Sequence, residues 1–212
     1  MTIDTFLFDL DGTLVDSVLD LATGVNLLRG ELGLPPQPVE QVRACVGDGA
    51  TQLVKRAIPE VPFNETLLRR FLTRYGEHLL DQTRVYPGIF DFLDGHRHHR
   101  MGVVTNKPHG YTLPLLDGLG LTPYFAVVVG GDSCREKKPH PAPVRYALQQ
   151  LGSSPHAAVL IGDHHTDLIS GAAAGVRTCF CAWGIGQHGD APYDDFAATP
   201  PDLLRLYPGA AP

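Results

Sequence analysis

Along this chain, short unbroken apolar runs alternate with stretches where apolar positions recur every three or four residues. The runs Thr5–Phe8, Met101–Thr105, Ala126–Val129, Ala158–Ile161 and Thr178–Cys181 predict buried strands. Helical patterns lie between the later ones, near Tyr111–Leu119, Ala142–Leu151 and Thr166–Ala174. Strand–helix–strand alternation predicts a parallel sheet with helices on both faces. In such sheets ligands bind beyond the carboxyl ends of the strands.

The stretch from Asp16 to about Gln82 breaks this rhythm. No strand pattern occurs in it. Leu21, Val25, Leu28 and Leu32 follow a helical period, as do Ala50, Leu53, Val54, Ala57 and Ile58. A third stripe runs through Leu67, Leu68, Phe71, Leu72, Tyr75, Leu79 and Leu80. Ordinary strand–helix connections are far shorter, so the segment reads as an all-helical insertion covering the active face. The expected fold class is α/β: a Rossmann-like parallel sheet flanked by helices, with an inserted all-helical cap domain. Residues 1–15 and 83–212 would form the core and residues 16–82 the cap, hinged near Leu14–Asp16 and Thr83–Pro87. The terminal PGAAP is expected to fray.

Composition narrows the partners. The chain has 212 residues and a net charge of -6, with no long Lys or Arg run, which argues against nucleic acid. No apolar stretch approaches the roughly 20 residues that span a bilayer. The opening MTIDTFLFD lacks the basic region of a secretory signal, so a cytoplasmic location is expected. Cys45, Cys134, Cys179 and Cys181 form no C-x-x-C pair and read as reduced, mostly buried thiols. GHRHHR, at 95–100, precedes the second strand and reads as a solvated turn away from the catalytic edge.

The polar residues at the strand ends carry the chemistry. Asp9 and Asp11 close the first strand, Thr105 and Asn106 follow the second, Lys138 follows the third, and Asp163 and Asp167 follow the fourth. In a parallel sheet these ends share one edge. Carboxylates clustered above an apolar core call for a hard cation, and oxygen ligands with room for water suit magnesium. Such an ion would neutralise the acids and admit a phosphate. Within the insertion, VGDGA at 46–50 reads as a helix start with Asp48 as N-cap. The functional alternative is a backbone loop, Gly47–Asp48–Gly49, closing on an anionic substrate.

DLDGT at 9–13, VVTN at 103–106, KKP at 137–139 and GDHHTD at 162–167 resemble, in order, the four motifs of the haloacid-dehalogenase-like hydrolases. The wider phrasing resembles the phosphoglycolate-phosphatase-like branch, which has a helical cap inserted after the first motif. The resemblance implies a phosphomonoester hydrolase using Mg2+. Asp9 would be the nucleophile, forming an aspartyl-phosphate, and Asp11 the general acid and base. Thr105 and Asn106 would hold the phosphoryl group and Lys138 would balance its charge. Magnesium would be held by the Asp9 side chain, the Asp11 backbone carbonyl and Asp163, with Asp167 fixing Lys138 or a bound water.

The substrate implied is a small phosphorylated metabolite, 2-phosphoglycolate first. A sugar or amino-sugar phosphate, or pyrophosphate, remains as the alternative. One departure stands out: His164 and His165 follow the G-D of the fourth motif, where a small hydroxyl residue or glycine is usual. Both read as solvent-facing at a helix start, or else as lining the site. A receiver-like signalling protein also uses strand-end acids, magnesium, a hydroxyl and a lysine. Receivers are much shorter and lack both the insertion and the DLDGT setting.

Overall fold

The computed structural model describes residues 3–209. Residues 210–212, within the PGAAP stretch expected to fray, lie outside the described residues. The centre is a six-stranded sheet of β1 (Thr5–Phe8), β4 (Arg100–Val104), β5 (Val127–Val129), β6 (Ala158–Gly162), β7 (Arg177–Cys181) and β8 (Asp195–Ala197). Their order is β5-β4-β1-β6-β7-β8, and every pairing is parallel.

Alternation within the strands divides the core in two. Phe6, Phe8, Met101, Val103, Val159 and Ile161 pack on one face of the sheet. Leu7, Val104, Val129 and Leu160 pack on the other. Both faces are covered, which is why the strands read as continuous apolar runs. The helices α6 (His109–Gly118), α7 (Ala142–Leu151) and α8 (His165–Ala174) make the crossovers.

β8, α5 (Ile89–Gly95) and α9 (Asp202–Leu206) have no counterpart in the sequence pattern. Each is at most two turns of helix or three residues of strand, too short to display a period.

Four helices occupy the insertion: α1 (Val18–Glu31), α2 (Val39–Arg43), α3 (Ala50–Ala57) and α4 (Glu65–Glu77). Two short strands bracket them. β2 (Val15–Asp16) pairs antiparallel with β3 (Arg84–Val85), so the chain leaves and re-enters the core through one ribbon. Asp20, fully buried in α1, ties this exit together. Its carboxylate accepts from the Gln82 and Thr83 amides and the Thr83 hydroxyl at 2.7–3.0 Å. The stripe of α4 buries Leu67, Phe71 and Tyr75, and the Asn64 side chain caps the helix by accepting from the Leu67 amide.

Three local expectations need correction. Gly49, not Asp48, is the N-cap of α3, and Asp48 turns instead onto Arg56 at 2.5 Å. GHRHHR does lie before β4, but His96 is not solvated: it is fully buried, with ring nitrogens 2.7 and 2.9 Å from the Phe92 and Tyr207 carbonyls. His164 is buried as well, as the N-cap of α8 in a reciprocal capping box with Asp167.

Candidate active site

The register of β1 sets the site. Asp9 directly follows the buried Phe8, and its amide donates to the Ile161 carbonyl at 2.9 Å, locking it to β6. Gly12 then turns the chain with φ +90, and a Cβ there would lie 2.1 Å from Asp163 Oδ2. Only glycine lets the DLDGT turn press against the end of β6.

Lys138 is the hub. It is buried, and its ammonium donates to Asp167 Oδ1 at 2.5 Å and to the Val104 carbonyl at 2.6 Å. Asp9 Oδ1 is 3.0 Å away, within ion-pair range but off the line of a hydrogen bond; that oxygen has no hydrogen bond among the described residues. Burial works to lower the Lys138 pKa, but Asp167 and Asp9 outweigh it and hold the ammonium charged. Burial and then the charge of Asp167 push Asp9 up to about 6, against the pull of Lys138.

Asp163 is bound on several sides. Its Oδ1 accepts from the Thr13 hydroxyl at 3.0 Å, and its Oδ2 from the Ile185 and Gly186 amides at 2.8 and 2.7 Å. Burial, followed by Asp9 and Asp167, still pushes it up to about 7. Asp9, Asp163 and Asp167 bring carboxylate oxygens within 4.8 Å of one another. Three buried acids facing one buried lysine leave an excess of negative charge, a donor set that fits a hard divalent cation.

Thr105 and Asn106 complete the floor at the end of β4. Thr105 is held by its amide on the Val129 carbonyl, and its hydroxyl accepts from the Lys107 amide at 3.2 Å. Asn106 reaches both ways: its Nδ2 donates to the Lys138 carbonyl at 3.0 Å and to the Gly47 carbonyl at 3.1 Å. The Gly47–Gly49 loop is thus closed onto the core. Gly47 has φ +118, and a Cβ there would meet His164 Nε2 at 2.6 Å. Burial, and then His165, pull the His164 imidazole down to about 4, so it is neutral at neutral pH.

Asp11 sits differently from its neighbours. Its carboxylate accepts from Ser17 Oγ at 2.5 Å and from Lys107 Nζ at 2.8 and 2.9 Å. Lys107 and Ser17 are not among the polar residues expected at the strand ends, although Lys107 directly follows VVTN. Tyr75 was assigned only to a core stripe, yet it lines the same cavity as Asp9, Asp11 and Thr105. The Ile185–Gly186 loop, which cradles Asp163, was also missed; the glycine-spaced WGIG after the last predicted strand was its signal.

Among the sequence-predicted residues, Asp9, Asp163, Asp167, Lys138, Thr105 and Asn106 converge at one sheet edge. Gly47 and Gly49 line the cavity above them, and the Asp48 carboxylate pairs with Arg56, close to His164 and His165. Space for the centres of water-sized groups in that cavity is about 50 Å³.

The family model described as haloacid dehalogenase-like hydrolase matches residues 6–181. A phosphoglycolate phosphatase of Chromobacterium violaceum is 41% identical over 189 residues, covering 85% of this chain and 85% of the relative. One from Pseudomonas putida is 37% identical, covering 97% of this chain and 79% of the relative. A crystal structure described as a predicted phosphoglycolate phosphatase from Haemophilus somnus superposes with TM-score 0.90 at 30% identity. It covers 97% of this chain and 98% of that one. No helix among the described residues is long and apolar enough to cross a membrane.

Proposed function

The chain belongs to the haloacid dehalogenase-like hydrolase family, and from that premise we propose that it hydrolyses 2-phosphoglycolate to glycolate and phosphate through an aspartyl-phosphate on Asp9. The observation that carries this reading is the convergence around Asp9 of Lys138, Thr105 and Asp163 from separate segments that follow the strands of one sheet, beneath a cavity lined by both the core and the insertion. The curated relatives named for phosphoglycolate support the choice of substrate.

Asp9 attacks phosphorus in line with the leaving oxygen. Thr105 and Asn106 orient the phosphoryl oxygens, and Lys138 offsets the negative charge that gathers on them. As the ester P–O bond breaks, Asp11 delivers its proton to the departing alkoxide. In the second step Asp11 takes a proton from a water, which attacks phosphorus and restores the Asp9 carboxylate. Asp167 keeps Lys138 aimed.

Magnesium is the cofactor of this reading, held by the Asp9 side chain, the Asp11 backbone carbonyl and Asp163. When bound it neutralises these acids and draws charge from the phosphoryl group. The buried, unbonded Asp9 Oδ1 supports the assignment. Residues 16–82 act as a cap over the core of residues 1–15 and 83–212. The β2–β3 ribbon at the junction and the Asn106–Gly47 bond support that division. Closure would exclude bulk water during the attack.

A panel of esters with magnesium tests the substrate. The best kcat/KM is expected for 2-phosphoglycolate. A higher value for glucosamine 6-phosphate or for pyrophosphate would overturn the choice.

A further inference from the structure

Lys107 is an anomaly in this site. It is buried, it is not the lysine of the family's third motif, and the hydrogen bonds of its ammonium go to Asp11 alone among the described residues. Its Nζ also lies 4.7 Å from the centre of the Tyr75 ring. Tyr75 comes from α4 of the insertion and is 2% exposed. Its hydroxyl is buried without a hydrogen-bond partner among the described residues. Both side chains line the cavity that contains Asp9 and Thr105.

A buried hydroxyl left unpaired is costly, and such groups in native proteins call for an explanation. A buried cation stripped of its partner is costlier. The second point bears directly on the reaction proposed above. Asp11 cannot serve the leaving oxygen while it holds Lys107, and it cannot leave Lys107 bare. Something anionic must take its place.

We propose, resting on the phosphoglycolate reading, that Lys107 and Tyr75 form a subsite for the substrate's carboxylate, which displaces Asp11 from Lys107 and so frees it to take up a proton from solvent and pass that proton to the leaving oxygen. The carboxylate accepts from the Lys107 ammonium and from the Tyr75 hydroxyl, satisfying both at once. Lys107 comes from the core and Tyr75 from the insertion, so the same contact reads that the cap is closed. An ester of similar size without the acid leaves Asp11 on Lys107 and turns over poorly. Selectivity then arises from releasing the proton donor as well as from binding.

The test compares kcat/KM for 2-phosphoglycolate and 2-hydroxyethyl phosphate, with magnesium, in the wild type, Tyr75→Phe and Lys107→Met. The ratio of the two values is expected to fall roughly 10-fold in Tyr75→Phe and about 100-fold in Lys107→Met, in line with the loss of neutral and charged hydrogen bonds. Competitive inhibition by glycolate should weaken in both variants. Equal losses for the two esters would overturn the subsite, since a purely structural role damages both alike. Should Lys107→Met fail to fold, Tyr75→Phe, which keeps the ring, decides alone: an unchanged ratio there rejects the proposal. A wild type that hydrolyses other esters but not 2-phosphoglycolate would reject the substrate reading, and this subsite with it.

Discussion

At the scale of single residues, the site is held in a state that its own charges oppose. Asp9 at about 6 and Asp163 at about 7 both lie well above the ordinary carboxylate range because they are buried beside other acids. Raised folded-state values make the folded protein bind more protons than the unfolded chain. Their contribution is therefore full at low pH and is lost as pH rises through the folded values. His164, lowered to about 4, works oppositely below its unfolded value of 6.5 and offsets one of the two acids. In chelator the protein is expected to lose stability between about pH 4 and 7. Magnesium should then raise Tm more at about pH 7.5 than at about pH 5, because protons compete with the ion. An equal shift at both values would contradict the assignment of these acids to a cation.

A second prediction belongs to Asp11. In the proposed mechanism Asp11 works on protons in the transition state, so Asp11→Asn should lower kcat by roughly 10²–10⁴-fold, with KM little changed. Steady-state kinetics on 2-phosphoglycolate would show it. An unchanged kcat with a raised KM would remove the proton role.

At the scale of elements, closure depends on a glycine meeting a histidine. Gly47 has a positive φ and no room for a Cβ, since His164 Nε2 occupies that space. The His164 ring is braced from its other side, with Nδ1 3.0 Å from the Thr166 hydroxyl. Gly47→Ala should reduce kcat/KM by about 10-fold or more, the cost of a positive φ together with a clash. Adding His164→Ala should restore part of the loss, the signature of two side chains in contact. Strictly additive losses would show that the loop and the histidine do not press on each other during turnover.

The exit of the insertion is held by Asp20. Asp20→Ala would strip the Gln82 and Thr83 amides and the Thr83 hydroxyl of their buried acceptor. A loss of roughly 2–4 kcal/mol in urea unfolding is expected; a change under about 0.5 kcal/mol, the range of a neutral surface substitution, would show the anchor to be dispensable.

For the molecule as a whole, the sheet was legible because both its faces are buried. Each strand of four or five apolar residues announces itself, and alternation with helices implies parallel pairing. Five of the six sheet strands follow from that pattern. β8 does not, because Asp195, Phe196 and Ala197 make no apolar run. Asp9 and Asp163 were legible because a polar residue ending an apolar strand has one place to go, and Lys138, in the loop after β5, through the resemblance of KKP to the family's third motif. Lys107 and Tyr75 were not: one lies beyond a strand end whose polar positions were already accounted for, and the other sits in an apolar stripe where a tyrosine looks like core. Their meaning comes from a contact between the core and the insertion, 32 residues apart in sequence numbering. His164 was misplaced for a related reason. A histidine at a helix start looks solvent-facing until the loop that covers it is known.

The account stands most directly on Asp9 as the nucleophile that takes the phosphoryl group from 2-phosphoglycolate. Phosphate release from that ester, in magnesium, by the wild type and by Asp9→Asn at equal concentration is the decisive measurement. The Asn side chain keeps the shape of the site while removing the attacking oxygen. Release should fall by on the order of 10⁴-fold or more, with the Tm of the variant equal to or above that of the wild type, because one acid of an overcharged cluster has gone. Phosphate release surviving in Asp9→Asn within about 10-fold of the wild type, well above what loss of a nucleophile allows, would contradict the account.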